Sequence, residues 1–168
     1  AAYVMSAIRL AWYKIYYPLE FYAAYLTVAP GGFESTMVAN GKRGILDRLK
    51  EIEEKGMDAT QKEKDMVVAL QLAYECLARN IEFLPVDFKK SDSFKFLPEN
   101  GKIRLPFSSI AGVGDNAAEK IAEARDSGEI FSIEDFQQKT SLSKTVIQVL
   151  KDNGVFNDMS ETNQISMF

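Results

Sequence analysis

Apolar residues recur every three or four positions through most of the first 79 residues, a period that admits amphipathic helices and little else. Residues 1–17 carry Tyr3, Val4, Ala7, Ile8, Leu10, Ala11 and Ile15 at this spacing. The helix they form is expected to be buried on most of its circumference. Pro18 suits the first turn of a second helix over 18–28, which Pro30-Gly31-Gly32 closes. Residues 42–55 present a stripe of Ile45, Leu46, Leu49 and Ile52, with Gly56 placed as a left-handed terminator. Thr60 and Glu63 make a capping box for a helix that runs to about Arg79 through Val67, Leu70, Ala73, Tyr74 and Leu77. This half reads as a helical bundle.

The period breaks at Ile81. Residues 81–87 and 94–97 are short and β-like, Asn100-Gly101 is a hairpin turn, and 102–105 is the return strand. Short helices follow over 115–127, 132–139 with a Ser132/Asp135 cap, and 143–153 closed by Gly154. Residues 157–168 are polar until their last few positions and are expected to form a flexible tail. The expected fold is mainly α, divided into a helical bundle over 1–80, short β segments over 81–106, a helical unit over 107–156 and the tail.

Bulk properties exclude several classes. A single Cys76 permits no internal disulfide, and the absence of histidine all but removes the usual zinc sites. Arg9, Lys14 and Glu20 interrupt every apolar run before it reaches the roughly 18 residues of a membrane span. The cytoplasm is the simplest compartment. A chain that opens on Ala1 inside a helical pattern reads as a piece of a longer protein. The net charge of −4 argues against binding nucleic acid by bulk attraction, so any such contact must be local.

Such a contact is suggested by Ile110-Ala111-Gly112-Val113-Gly114 followed by the small-residue helix start Asp115-Asn116-Ala117-Ala118-Glu119-Lys120-Ile121. Both glycines are expected to allow positive φ and close approach, while Val113 anchors the turn. Backbone N–H groups left free at the following helix start would hold a phosphate without a basic side chain. Lys102, Arg104 and Lys120 lie nearby in sequence; Asp115 and Glu119 oppose the reading unless they only compensate the helix dipole. A tight turn without function remains the plain alternative. A weaker second copy is Leu142-Ser143-Lys144-Thr145, where Ser143 and Thr145 either cap the helix or contact phosphate and Lys144 supplies charge. Backbone contacts of this kind carry no base information.

The chain closes on Gln164-Ile165-Ser166-Met167-Phe168. A polar anchor followed by apolar plugs resembles the pentapeptide with which bacterial polymerases bind the sliding clamp; matched here, Gln164 is the anchor and Ile165, Met167 and Phe168 the plugs. The alternative is a tail folded back on its own domain. The opening helix with Pro18-Leu19-Glu20-Phe21-Tyr22-Ala23-Ala24-Tyr25 resembles the end of the fingers in the alpha subunit of bacterial DNA polymerase III. The stretch from Leu105-Pro106-Phe107 to Gly114, the Ser132-Ile133-Glu134-Asp135 cap, the Leu142–Thr145 turn and the closing pentapeptide are together similar to its Gram-positive PolC type.

That resemblance implies a helix-hairpin-helix unit over 107–156. Duplex DNA would be contacted through Ile110, Gly112, Val113, Gly114, Asn116, Ala117, Lys120, Ser143, Lys144 and Thr145. It also implies a primer-template, a sliding clamp and the remainder of the polymerase as partners, and no membrane. The catalytic aspartates and their magnesium would belong to a palm upstream of Ala1, leaving this stretch inactive alone and without a cofactor of its own. Ile165 and Met167 depart from the family by standing where leucine is common, and residues 30–44 have no assigned role. Arg9 or Lys14 facing a nucleotide, or merely flanking the core, stays open. Competing readings are a helix-hairpin-helix repair enzyme and a purely helical interaction domain. The adjacent pairs Glu53/Glu54 and Glu134/Asp135 suit the repair enzyme poorly, since neighbouring helix positions point apart.

Overall fold

The computed structural model describes residues 1–28, 31–128, 130–157 and 159–162. Eight helices and a small sheet are described: α1 (Ala2–Tyr16), α2 (Pro18–Val28), α3 (Thr36–Ala39), α4 (Gly41–Lys55), α5 (Gln61–Ala78), β1 (Phe83–Leu84), β2 (Leu97–Glu99), β3 (Lys102–Arg104), α6 (Asp115–Asp126), α7 (Ile133–Thr140) and α8 (Lys144–Asp152). The mainly helical expectation holds, with most helix boundaries within a residue or two. Local chemistry explains why. Thr60 Oγ1 accepts from the Glu63 N–H at 3.2 Å while Glu63 accepts from the Thr60 N–H at 3.0 Å, the reciprocal box that starts α5. Asn100 and Gly101 both take positive φ, 50° and 78°, which turns β2 back onto β3.

The sheet order is β1-β3-β2, with β2 antiparallel and β1 parallel to β3. Two apolar clusters form. One lies between α3, α4 and α5 around Ile45, Ile52 and Leu70. The other joins Tyr22 and Leu26 of α2 and Cys76 of α5 to Ile103, Phe107, Ile121, Phe136 and Leu150. The change from helix to strand at Ile81 therefore falls inside a continuous core. Phe136 meets Phe88 and Phe156 with ring centroids 5.5 and 5.1 Å apart.

The expected burial of the first helix is not what the structure shows. No α1 residue is buried, and Tyr3 is 92% exposed. The helix rests on α2 and, through Lys14, on Glu75 of α5, 2.7 Å away. Trp12 stacks with Tyr13, Tyr16 and Tyr17 at 5.1 to 5.4 Å, so its aromatic rings shield one another in place of a neighbouring wall. Residues 31–44, unassigned from sequence, form a brace. The Phe33 ring lies 4.9 Å edge-on to Phe96, and the Ser35 N–H donates to the Ser109 carbonyl at 2.7 Å.

Residues 159–162, expected to belong to a flexible tail, are instead bound to the body. Met159 packs against the core, and Ser160 pairs in parallel with Ser132. The Ile133 and Glu134 N–H groups donate to the Ser160 and Glu161 carbonyls at 3.0 and 3.2 Å, and Lys151 pairs with Glu161 at 3.0 Å. Residues 159–162 thus form a strap across the start of α7.

Candidate nucleic-acid interface

The chain leaves β3 through Leu105 and a short 3-10 turn at Phe107–Ser109, where Ser109 Oγ donates to the Pro106 carbonyl at 2.7 Å. Ile110 and Val113 then point inward, 2% and 6% exposed, joined by a Val113 N–H to Ile110 carbonyl bond of 3.0 Å. Ala111, Gly112 and Gly114 are consequently displayed to solvent. Gly112 takes φ +91°, and a Cβ built there would lie 3.7 Å from Val149 Cγ2, so the turn sits against α8.

Gly114 differs from the expectation that both glycines need positive φ. It is extended, at φ −75° and ψ 167°, and caps α6 without a side chain. Its carbonyl accepts from the Ala117 and Ala118 N–H groups at 2.9 and 3.0 Å. The N–H groups of Gly114, Asp115 and Asn116 have no acceptor among the described residues. Free donors at the positive end of a helix dipole are what an anion needs.

The second turn repeats the arrangement. Ser141 closes α7 in the left-handed region at φ 52°, and Ser143 caps α8 by accepting from the Val146 N–H at 3.3 Å. Capping is thus one role Ser143 plays. The Lys144 and Thr145 N–H groups remain without an acceptor among the described residues. The α7 N-terminus is the exception, because the strap already satisfies its Ile133 and Glu134 donors. Of the three helix starts in this half, those of α6 and α8 are open and that of α7 is plugged.

The side chains sort accordingly. Gly112, Gly114, Asn116, Lys120, Ser143, Lys144 and Thr145 are exposed, Ala117 is half-buried, and Ile110 and Val113 lie in the core. Two cations counted from sequence are spent elsewhere. Arg104 is buried and grips Glu99 with two bonds of 2.7 and 2.8 Å while donating to the Pro85 carbonyl at 2.8 Å; Lys102 pairs with Glu82. The Arg104 guanidinium holds the Glu99 carboxyl down at about 2. Lys120 and Lys144 carry no ion pair among the described residues. Lys14 is likewise committed, to Glu75, whereas Arg9 is exposed. Asp135 accepts from Phe131 and pairs with Lys139, and no three His, Cys, Asp or Glu side chains gather to hold a metal among the described residues. The Gln164, Ile165, Met167 and Phe168 set lies outside the described residues.

Two hydrophobically anchored turns, each opening a helix toward solvent, match a family model described as a helix-hairpin-helix motif over residues 80–165. The chain belongs to the helix-hairpin-helix family. Its curated relatives include proteins named DNA polymerase III PolC-type. That of Caldanaerobacter subterraneus subsp. tengcongensis is 46% identical over 167 residues, 99% of this chain and 12% of the relative. Those of Listeria welshimeri and Clostridium perfringens are 42% and 41% identical, covering 100% and 99% of this chain and again 12% of each relative. The chain thus spans about an eighth of the length of these relatives, and the helix-hairpin-helix match occupies its second half. No helix among the described residues is long and apolar enough to cross a membrane.

Proposed function

We propose that this stretch is a non-catalytic part of a cytoplasmic replicative DNA polymerase, which grips duplex DNA through its two hairpins and is tethered to a sliding clamp by residues 164–168. The observation that carries the DNA reading is the pair of open helix starts at Gly114 and Ser143 beside an occupied one at Ile133. Donors left free at two turns suit two backbone phosphates and no base edge. Lys120 and Lys144 add local charge to a chain that is acidic overall. The Gln-aliphatic-small-apolar-apolar pattern of 164–168 supports the clamp tether. Linking two weak grips in one chain raises effective concentration and keeps the enzyme on its template. The nucleotidyl transfer itself, and the magnesium it uses, would belong to the rest of the polymerase.

Fluorescence anisotropy with duplexes of unrelated sequence tests the first part. Equal affinities for all of them are expected, with a log–log salt slope of about −2 if two phosphates are neutralised. Calorimetry of the bacterial sliding clamp against the intact chain and a version ending at Asn163 tests the second. Dissociation constants that differ strongly between duplex sequences, or nuclease activity in the same preparation, would turn the reading toward a repair enzyme.

A further inference from the structure

The strap holds the chain as far as Thr162, and in sequence one residue separates Thr162 from Gln164. A chain spans at most about 3.6 Å per residue, so the Gln164 Cα lies within about 7 Å of the Thr162 Cα whatever path Asn163 takes. The Ser160 hydroxyl has its one proton shared between the Phe131 carbonyl at 3.2 Å and the Thr162 carbonyl at 3.3 Å, which places Thr162 beside Phe131.

Phe131 is 67% exposed, whereas its neighbour Ser132 is fully buried and Ile133 is 7% exposed. Ser132 is buried where it pairs with Ser160 and Ile133 begins α7, while Phe131, just before them, is left displayed to solvent. Among the described residues past Asn80, Phe131 is the only large apolar side chain displayed in this way.

We propose that Phe131 and the strap beside it form a second contact for the sliding clamp, next to the peptide itself; this rests on the reading that residues 164–168 seat in that partner. A protein with a groove wide enough for a five-residue peptide has walls that extend past its ends. With so short a tether those walls must meet the surface from which the peptide leaves. The exposed ring of Phe131 lies on that surface, and covering it removes apolar area from water.

The test is calorimetry with the sliding clamp, using the full chain, Phe131→Ala, the chain ending at Asn163, and a version with about eight Gly and Ser residues inserted after Thr162. Phe131→Ala is expected to weaken clamp binding by about tenfold while leaving duplex affinity and the thermal midpoint unchanged. In the lengthened chain the same substitution is expected to have no effect, because the partner no longer has to touch the body. Unaltered clamp affinity of Phe131→Ala, with binding still abolished by truncation, overturns the second contact and leaves the tether standing. No binding by the intact chain removes both. A loss of duplex affinity or of self-association in Phe131→Ala would assign the ring to DNA or to a second copy and also overturn the proposal.

Discussion

Alanine at Gly114 is expected to spare the fold and weaken duplex binding, whereas alanine two residues earlier should destabilise the fold. Gly114 has ordinary extended angles, and a Cβ there meets nothing within 4 Å. Alanine therefore introduces no strain, and by restricting the unfolded chain it stabilises by about 0.4–1 kcal/mol. The same open space is where a phosphate would approach the free N–H groups, and a methyl there holds it away. A hydrogen bond to a charged group contributes about 1.5–3 kcal/mol, so losing one lowers affinity about tenfold or more. Gly112 has room for a methyl 3.7 Å from Val149, but its φ of +91° is a conformation that costs an L-residue about 1–3 kcal/mol. In a chain of this size that lowers the melting point by about 2–4 °C per kcal/mol. Circular-dichroism melts and anisotropy titrations on both variants separate the effects. If Gly114→Ala bound duplex as tightly as the parent, or melted below Gly112→Ala, the view of this turn as an open phosphate seat would be wrong.

Lys120→Glu and Lys144→Glu should each weaken binding to every duplex alike; loss of binding to one sequence only would contradict the backbone reading. Arg104→Met strands the Glu99 carboxylate with Lys90 alone and should cost about 3 kcal/mol in urea unfolding. Glu63, held down to about 2 chiefly by Lys55, and Glu99, held there chiefly by Arg104, titrate below the ordinary carboxylate value of 4.5. Their stabilisation is complete above about pH 4.5 and is lost as pH falls toward 2, so urea midpoints should drop across that window and Glu99→Gln should flatten the drop. Burial pushes the Cys76 thiol up to about 12, and alkylation should proceed only after denaturant is added; rapid labelling of the native chain would refute its place in the core.

What was legible in the sequence was whatever short-range chemistry decides. Thr60 with Glu63, Ser132 with Asp135, Ser143, and Asn100-Gly101 act within a few residues of themselves, and each does in the fold what its spacing implies. Val113 anchors the turn as its apolar character implied, but Ile110 and Val113 were also expected among the DNA contacts and both are buried, because the core beneath the turn claims their side chains. Errors arose where pairing between elements decides. Arg104 and Lys102 are near the hairpin in sequence, yet Glu99 and Glu82 claim them. The apolar density of α1 reports a demand for cover without saying whether this chain supplies it. The strap pairs Ser160 with Ser132 across 28 positions, and nothing in either residue marks it. Phe131 was missed for the same reason, since exposure of a single phenylalanine has no sequence signature.

The core that runs from Tyr22 and Cys76 to Phe107 and Ile121 has a mechanical consequence. Parts of a chain swing on linkers that few contacts cross, whereas a close-packed interior is barely compressible and passes strain along. The turn at Gly114 and α2 are therefore mounted on one stiff block. Force applied at that turn would reach α2 as torque, with no slack taken up at Ile81.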